Sequence, residues 1–393
     1  MAKLSVKDLD LEDKKVFVRV DFNVPLDENL YITDDTRIRA ALPTINYILE
    51  QGGIPILASH LGRPKGKVDP KLSLAPVAER LVKLLNRKVV FAKDCVGEDV
   101  KKLAQALKSG DIMLLENTRF HPEEKNNDPR FSKELASLAD LYVNDAFGSA
   151  HRAHASVEGI AHYFDNPACG FLMEKEIEFL EGALKDPKRP LLAIIGGAKV
   201  STKVGVIKNL LNIVDNLVIG GGMSFTFYKA KGYEIGKSLV EDEFIEEAKM
   251  LLAHDKIYFP VDVIVAQEPK QNMATKNVDA STIPIDQCGV DIGDKAIRDI
   301  SELIKKAETI VWNGPMGIFE VDAFARGTEA VAKAIADATR AGAISIVGGG
   351  DTIAALSKFN LLDNVTHAST GGGASLEYLE GKELPGITIL KEK

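Results

Sequence analysis

Basic side chains follow several of the short apolar runs in the first half of the chain. Each apolar run predicts a buried β-strand, so the residues after it would lie at the carboxyl edge of a parallel sheet, where ligands bind in open α/β folds. Arginine can donate paired hydrogen bonds to a phosphate or a carboxylate. The basic residues at or just beyond these strand ends are Arg37, His60, Arg63, Arg119 and Arg152. Together they predict a site for a compact anion.

One predicted helix carries two arginines, and only one of them can face the ligand. Arg37 and Arg39 are two residues apart on this helix and therefore point about 200° away from each other. A single arginine is more often a plain surface cation. Five basic groups in equivalent positions are much harder to explain in that way.

Glycines follow the apolar runs in the second half of the chain instead. These runs end at Gly196-Gly197, at Gly220 to Gly222 and at Gly348 to Gly350. Glycine lets backbone N–H groups approach a phosphate chain, most readily where a helix begins. The two halves therefore predict two sheets that bind two different anionic ligands.

Two lysines come just after the first of these glycine pairs. A helix from this point would place Lys199 and Lys203 one turn apart. They would lie off its buried face, which the spacing predicts to contain Val200, Val204, Ile207 and Leu211. Like charges at this spacing repel by roughly 0.2–0.5 kcal/mol and oppose the helix dipole, so an anion between them would remove both costs. The alternative is a solvated basic face.

Two carboxylates accompany the other glycine turns. Asp351 follows the triple glycine, where its carboxylate could bind a metal ion that bridges phosphates or could simply cap a helix. Glu320 comes soon after Trp312-Asn313-Gly314-Pro315 and has the side chain to accept hydrogen bonds from ribose hydroxyls. A surface glutamate would look the same, so Glu320 depends on its context.

Composition narrows the class of protein. The net charge of −8 argues against a nucleic-acid-binding protein, because binding to a phosphate backbone needs a basic surface. No apolar run approaches the roughly 20 residues that span a bilayer, and the first residues do not resemble a signal peptide. We therefore expect a cytoplasmic protein without a membrane partner. The cysteines, Cys95, Cys169 and Cys288, are predicted to be buried free thiols.

The alternation of short β-rich runs with helical patterns predicts an α/β fold with two doubly wound parallel-sheet, Rossmann-like domains. One predicted connecting helix follows Asp34-Asp35, with Ile38, Leu42, Ile45 and Leu49 at helical spacing, and it ends before Gly52-Gly53. A second helix without breakers would join the domains. The predicted divisions are 1–169, the helical hinge 170–186, 187–369, and a C-terminal segment 370–393.

The glycine turns do not complete the common nucleotide fingerprints. In the Gly-x-Gly-x-x-Gly pattern, Phe225 and Ile353 occupy the third glycine position, and no Gly-x-x-x-x-Gly-Lys-Ser/Thr segment occurs. A dinucleotide-dependent oxidoreductase is therefore an alternative with less support. A non-catalytic sensor of anions or nucleotides is the other alternative.

The ordered set of motifs resembles the phosphoglycerate kinase family along the whole chain. The segments that carry the resemblance are Arg19–Pro25, Ser59–Pro64, Glu116–Phe120, Asn144–Gly148, Ala150–His154, Gly196–Val200, Val311–Pro315, Gly348–Asp351 and Ser369–Gly373. One departure is Thr202, where the family commonly has Asp. This difference puts only local tuning in doubt, because Lys199 and Lys203 are both present.

The resemblance implies reversible phosphoryl transfer between 1,3-bisphosphoglycerate and ADP, which gives 3-phosphoglycerate and Mg-ATP. It assigns phosphoglycerate binding to Asp21, Phe22, Asn23, Arg37, His60, Leu61, Gly62, Arg63, Arg119 and Arg152. It assigns nucleotide binding to Gly197, Ala198, Lys203, Gly221, Gly289, Asn313, Glu320, Gly349, Gly350, Asp351 and Thr352.

The resemblance also implies how the reaction is catalysed. The catalytic set comprises Arg37, Lys199, Lys203, Gly349 and Gly372, and Asp351 binds Mg²⁺. The implied partners are the small-molecule substrates alone. A monomer is expected, with domains that close about the hinge and a C-terminal segment that packs back on the first domain.

Overall fold

The computed structural model describes residues 2–393 and contains two compact units. The first unit runs to Glu178 and includes Glu383–Lys393, and the second is Phe179–Lys382. Each unit has helices packed around a parallel sheet of six strands. The predicted fold class is therefore confirmed.

The parallel sheet of the first unit has the strand order β3-β4-β2-β1-β5-β6. Its strands are β1 Lys15–Arg19, β2 Ile54–Ala58, β3 Val89–Phe91, β4 Ile112–Leu114, β5 Leu141–Asn144 and β6 Ala168–Cys169. Arg19 pairs in register with Ala58 on one side and with Asn144 on the other. The residues that follow these three strands therefore lie at one edge of the sheet.

Helices alternate with most of the strands of the first unit. They are α1 Thr36–Glu50, α2 Ala75–Leu85, α3 Glu98–Ala106, α4 Pro122–Lys125, α5 Pro129–Ala136 and, near the C-terminus, α14 Pro385–Thr388. The predicted helix after Asp34-Asp35 is α1, which ends just before Gly52, where φ is +78°. Its buried residues include Ile38 and Ile45, whereas Leu42 and Leu49 are half-buried at the margin.

The parallel sheet of the second unit has the order β15-β14-β13-β7-β8-β9. Its strands are β7 Leu191–Ile195, β8 Asn216–Ile219, β9 Ile257–Tyr258, β13 Thr309–Asn313, β14 Ile344–Gly348 and β15 His367–Ala368. Counted along the chain, this is the 3-2-1-4-5-6 order of dinucleotide-binding sheets, and its direction of winding reverses between β7 and β13. The side chains of Ile194 and Trp312 on these two strands belong to the buried core.

The second unit also contains a small antiparallel sheet that the sequence did not predict. It consists of β10 Asp262–Ala266, β11 Lys276–Asp279 and β12 Cys288–Ile292, with β10 in the middle. The helices of this unit are α7 Val204–Leu211, α8 Ser224–Ala230, α9 Ile245–Leu251, α10 Asp294–Lys306, α11 Arg326–Arg340, α12 Gly350–Lys358 and α13 Gly373–Leu379.

One helix, α6 Phe171–Lys185, contains the boundary between the units, which falls after Glu178. The predicted hinge range of 170–186 stays a prediction. The C-terminal segment is divided, since residues 370–382 belong to the second unit and Glu383–Lys393 to the first. In the first unit, the Leu4 N–H donates to the Lys391 carbonyl at 2.7 Å, and Asn144 Nδ2 donates to the Gly386 carbonyl at 3.0 Å.

Cys95, Cys169 and Cys288 are buried free cysteines, as expected. In residues 2–393, no helix combines the length and the apolar character that crossing a membrane would need.

Candidate active site

The first unit gathers basic side chains at the carboxyl edge of its sheet. Arg19 ends β1, His60 comes two residues after β2, Arg119 lies in a short 3-10 helix after β4, and Arg152 follows β5. Arg37 lies in the first turn of α1. Parallel strands in register bring these groups together, because their carboxyl ends meet at the same edge.

His60 lies inside this basic cluster and is neutral there. Its side chain is buried, with 5 % of its surface exposed. Burial, followed by the charges of Arg19, Arg119, Arg152 and Arg37, holds the pKa of His60 well below its ordinary value. A buried imidazole among cations loses its proton, since both desolvation and like charge oppose the charged form.

Arg119 has a buried donor that lacks an acceptor. Its Nη1 donates to the Gly62 carbonyl at 2.9 Å, but its Nε has no hydrogen-bond partner among the described residues. Burial and the charges of Arg19 and Arg152 lower the pKa of Arg119 to about 10. An unsatisfied buried donor costs about 1–3 kcal/mol, more when it is charged, so this position favours binding of an anion.

Several other predicted residues order the loops around the cluster. Arg37 Nη1 contacts Asp21 Oδ2 at 2.8 Å, and Asn23 Oδ1 accepts a hydrogen bond from the Gly62 N–H at 2.8 Å. Arg63 is exposed. Phe22 and Leu61 differ from the rest, because their side chains are buried in the hydrophobic core of the unit and only their backbones could contact a ligand.

Sequence reasoning left Arg19 out of the site, together with two residues that support it. Arg19 is fully buried, and its Nε donates to Ser156 Oγ at 2.8 Å. Ser156 Oγ in turn donates to Glu124 Oε1 at 2.6 Å. The sequence offered a signal for Arg19 alone, because this arginine directly follows the buried apolar residues of β1. Ser156 and Glu124 resemble any loop serine and helix glutamate in the sequence.

The second unit contains a cleft of about 500 Å³ beyond the carboxyl ends of its strands. Of the predicted nucleotide-binding residues, the cleft is lined by Gly197, Ala198, Gly221, Gly289, Glu320 and Asp351. Most of the remaining wall is apolar and includes Phe225, Leu239, Val290 and Met316. Such a wall suits the flat apolar face of a nucleobase. The residues Lys203, Asn313, Gly349, Gly350 and Thr352 are not part of this lining.

The predicted arrangement of the two lysines was wrong. Helix α7 begins at Val204, so the segment before it is a turn and not the first turn of a helix. Lys199 is exposed, whereas Lys203 is buried with 9 % of its surface exposed. The buried face of α7 also shifts to Val206, Ile207, Leu210 and Leu211. The physical reason is that Val200 packs in the core before the helix starts.

Lys203 is held next to another predicted residue. Its Nζ donates to Asn313 Oδ1, the side chain of the last residue of β13. Burial lowers the pKa of Lys203 to about 8, although the charge of Asp351 acts in the opposite direction. Asn313 Nδ2 is buried and has no acceptor among the described residues. The second unit therefore also contains a buried donor that a phosphate oxygen could satisfy.

The glycine turns serve two different purposes, and the sequence had predicted only one. A Cβ on Gly314, where φ is +102°, would lie 2.2 Å from the Gly196 carbonyl oxygen, and one on Gly221 would lie 2.5 Å from the Gly197 nitrogen. The Gly197 N–H donates to the Pro315 carbonyl at 3.0 Å. These glycines let the turns after β7, β8 and β13 pack backbone against backbone, so the expectation that the Gly197 N–H is open to a phosphate was wrong.

The turn after β14 is the open one. Gly349 has a φ of +93° and precedes α12, and no described atom lies within 4 Å of a Cβ placed on Gly350. Gly372, with a φ of +53°, precedes α13 and is equally open within the described residues. Thr352 Oγ1 accepts a hydrogen bond from the Gly314 N–H at 2.7 Å and so fixes the turn after β13.

Asp351 has the properties of a Mg²⁺ ligand that shares the ion with a nucleotide. Its carboxylate is exposed in the first turn of α12 and lines the cleft. Mg²⁺ is commonly bound by one or two carboxylates, phosphate oxygens and water, so a single aspartate fits. Gly349, and not Asp351, occupies the capping position of the helix.

Asp291 is a further lining residue that the sequence did not indicate. Its carboxylate accepts hydrogen bonds from the Gly327 N–H at 2.6 Å and from the Ile292 N–H at 2.9 Å. Burial outweighs these bonds and raises the pKa of Asp291 to about 7. The residue ties β12 to the start of α11 beneath the cleft.

A separate cluster in the first unit has metal-binding residue types. In the part of the chain that the structure describes, Asp94, Cys95 and His121 are the one group of three such residues with ligand atoms within 4.8 Å of one another. His121 Nε2 and Asp94 Oδ1 already share a hydrogen bond of 2.7 Å, and burial raises the pKa of the Cys95 thiol. Both features favour a structural role for the cluster.

Comparison with known proteins covers the whole chain. The phosphoglycerate kinase family matches residues 6–382. The phosphoglycerate kinase of Chlorobium phaeobacteroides is 56% identical over 397 residues, with 100% of both chains covered. "Phosphoglycerate kinase 3, cytosolic" of Arabidopsis thaliana is 54% identical over 393 residues, which cover 99% of this chain and 98% of that protein.

Solved structures give the same result. The phosphoglycerate kinase of Coxiella burnetii aligns with a TM-score of 0.90 and 43% identity, and that of Pyrococcus horikoshii with 0.85 and 34%; each covers 98% of both chains. The chain belongs to the phosphoglycerate kinase family and is a phosphotransferase.

Proposed function

We propose that the chain catalyses reversible phosphoryl transfer between 1,3-bisphosphoglycerate and ADP, which yields 3-phosphoglycerate and ATP. The observation that carries this proposal is a pair of buried donors without acceptors. Arg119 Nε in the first unit and Asn313 Nδ2 in the second lack partners among the described residues. Two anionic ligands, one in each unit, would satisfy them.

The phosphoglycerate is assigned to the basic cluster of the first unit. It carries a phosphate and a carboxylate, and Arg37, Arg63, Arg119 and Arg152 can bind such groups with charge-assisted hydrogen bonds. Asp21 and Asn23 are suited to the hydroxyl of the substrate and to ordering the loop around it. Neutral His60 adds a hydrogen bond to this site without adding another charge.

The nucleotide is assigned to the cleft of the second unit. The base would pack between apolar walls that include Phe225 and Met316, and Glu320 would accept hydrogen bonds from the ribose. The phosphate chain would extend toward Lys203 and the open turn at Gly349–Gly350. Asp351 would hold Mg²⁺ there, which when bound supplies positive charge to the phosphate oxygens.

Phosphoryl transfer requires the protein to align the two substrates and to supply positive charge. The acceptor in the direction of 1,3-bisphosphoglycerate synthesis is a carboxylate that is already ionised near pH 7, so no general base is required. The transferred group carries its charge on three equatorial oxygens. We assign the stabilisation of these oxygens to Arg37, Lys199, Lys203 and the N–H groups near Gly349 and Gly372.

Transfer in line requires the two ligands to meet, and it requires the exclusion of water to prevent hydrolysis of ATP. We therefore include in the proposal a closing motion about α6, a monomeric enzyme and a cytoplasmic location. Small-angle scattering tests the motion, with a smaller radius of gyration expected when both substrates are present. Identical profiles for the free and doubly bound protein would contradict closure.

A coupled assay tests the function itself. Purified protein with ATP, Mg²⁺ and 3-phosphoglycerate should form 1,3-bisphosphoglycerate, which is followed by the oxidation of NADH in a coupling reaction. Omission of 3-phosphoglycerate is the control for plain ATP hydrolysis. If calorimetry shows that both ligands bind and yet no turnover occurs, the protein is a sensor and the proposal is wrong.

A further inference from the structure

A chain of buried polar side chains runs behind the phosphoglycerate site of the first unit. Glu124 Oε1 accepts a hydrogen bond from Ser156 Oγ at 2.6 Å, and Ser156 Oγ accepts one from Arg19 Nε at 2.8 Å. Arg19 Nη2 then lies 3.1 Å from His60 Nδ1. Glu124, Ser156 and Arg19 are fully buried, so the chain is shielded from water along most of its length.

Arg19 is unusual because it is a buried cation that no neighbouring carboxylate pairs directly. No Asp or Glu oxygen in residues 2–393 forms an ion pair with it, and its remaining hydrogen bond is donated by Nη1 to the Val20 carbonyl. Burial of an unpaired charge is costly unless its hydrogen bonds are satisfied. Ser156 bridges Arg19 and the carboxylate of Glu124 by hydrogen bonds. The negative charge is therefore one residue further from the guanidinium than it would be in a direct ion pair.

The chemistry of Glu124, Ser156 and Arg19 determines which group donates in each of these hydrogen bonds. The carboxylate of Glu124 can only accept while it is ionised, so the hydroxyl proton of Ser156 points toward it. The Ser156 oxygen is then left to accept from Arg19. A second bond, from the Ser156 N–H to Glu124 Oε2 at 2.9 Å, keeps the serine in this orientation. Tyr142 supports the same loop by donating to the Val157 carbonyl at 2.8 Å.

The contact with Arg19 also determines where the proton of His60 lies. A guanidinium has donors and no acceptor, so the contact with Arg19 requires His60 Nδ1 to accept. The proton of the neutral ring is therefore on Nε2, because the hydrogen bond at one ring nitrogen sets the tautomer at the other. Among residues 2–393, none accepts a hydrogen bond from His60 Nε2. This N–H is left to donate to a ligand.

We propose that Arg19, Ser156 and Glu124 are positioning residues that hold His60 as the Nε2–H tautomer, so that it donates a hydrogen bond to an anionic oxygen of the phosphoglycerate. The inference rests on the proposed function for the identity of the ligand. The tautomer itself does not depend on that function and can be measured in the free protein.

The wild-type protein gives the first test, by nuclear magnetic resonance of protein labelled with ¹⁵N-histidine. The signals of His60 are assigned by comparison with His60→Gln, and long-range couplings distinguish the two ring nitrogens. We expect a single Nε2–H tautomer at neutral pH. An Nδ1–H tautomer or a protonated ring overturns the proposal, whatever the result of any activity assay.

Ser156→Ala gives the second test, because it removes the link and leaves Arg19, Glu124 and His60 in place. We expect the KM for 3-phosphoglycerate to rise about tenfold, the loss of roughly one hydrogen bond, while the KM for Mg-ATP stays within twofold. The Nε2–H signal should give way to a mixture of tautomers. Unchanged KM values together with an unchanged tautomer overturn the positioning role, and so does an equal rise in both KM values.

The control for this substitution is another buried serine of the first unit. Ser132 Oγ donates to the Asp128 carbonyl at 2.9 Å and forms no hydrogen bond with the basic cluster, so Ser132→Ala should leave both KM values and the tautomer unchanged. Glu124→Gln is the second variant if Ser156→Ala does not fold, with the same expected direction. If the wild-type protein has no turnover but shows the Nε2–H tautomer, the proposed function is wrong. The inference that Arg19, Ser156 and Glu124 set this tautomer of His60 is then retained.

Discussion

The two ligand regions occupy equivalent edges of two parallel sheets, but they are built in opposite ways. In the first unit, charged side chains fill the edge, and Arg19, Arg119 and His60 are buried there. In the second unit, glycines and apolar side chains surround an open cleft of about 500 Å³. The first region is a fixed network of charged and polar side chains, whereas the second is an open space with few charges.

The two regions differ because one must hold like charges close together and the other must leave an open space. Buried like charges repel, so the first unit needs a network of loops, and contacts such as that of Arg37 with Asp21 position them. The second unit needs room, and glycines at Gly196, Gly221 and Gly314 let three turns approach each other beside the cleft. The cluster of charges needs side chains that support it, whereas the open cleft needs positions without side chains.

The largest effect is expected from Arg37→Ala, which removes a charge assigned to the transition state. Turnover should fall about 10²–10³-fold, as it does when one such donor is removed from other enzymes. Arg39→Ala is the matched control on the same helix, since Arg39 Nε donates to Asp35 Oδ1 at 2.9 Å. Equal losses in the two variants, measured in the coupled assay, would contradict the assigned role of Arg37.

Arg119→Ala should affect binding to the first region alone. It removes charge-assisted hydrogen bonds worth about 1.5–3 kcal/mol, so the KM for 3-phosphoglycerate should rise roughly 10- to 100-fold while the KM for Mg-ATP is unchanged. Arg130→Ala, an exposed arginine of the same unit, is the control and should behave like the wild type. A parallel rise in both KM values would mean that the two regions are not independent.

Gly289→Ala is the reciprocal change in the second region. A Cβ at Gly289 would lie 2.0 Å from Cζ of Phe225, so the ring must move from the wall of the cleft. We expect a loss of about 1–3 kcal/mol in the free energy of unfolding and a higher KM for the nucleotide only. Urea denaturation measures the first effect and the coupled assay the second.

The control for this glycine lies in the same unit, in α6. No described atom is within 4 Å of a Cβ placed on Gly182, so Gly182→Ala should stabilise the protein by about 0.5–1 kcal/mol through the helix preference of alanine. If Gly289→Ala leaves both stability and nucleotide binding unchanged, the packing of Phe225 does not shape the cleft.

The smallest effect concerns protons and Lys203. Its pKa is lowered to about 8 in the free protein, mainly by burial. An anionic phosphate chain would favour the charged form and raise this pKa, so nucleotide binding should take up a fraction of one proton between about pH 8 and 9 and almost none near pH 6. Calorimetry of ADP binding in buffers of different ionisation enthalpy measures the uptake, which Lys203→Met should abolish. Proton release on binding would contradict this assignment.

Local sequence patterns were enough to predict the fold class and the basic or glycine-rich character of the two regions. Strands with buried side chains on both faces appear in the sequence as apolar runs. The residues directly after each run lie at the end of that strand, so their basic or glycine-rich character could be seen without knowing the fold. Arg119 and His60 were found in this way, and so were Glu320 and Asp351 at the cleft.

The neighbours of each of these residues depend on how distant segments pack together. Lys199 and Lys203 look equivalent in the sequence, yet one is exposed and the other buried, because α7 begins later than its apolar spacing predicted. Ser156 and Glu124 are 32 residues apart and carry no local pattern, and Gly196 and Gly314 require glycine because their backbones touch. Periodicity reports burial along one element, whereas contacts between elements depend on register and packing, which no local pattern encodes.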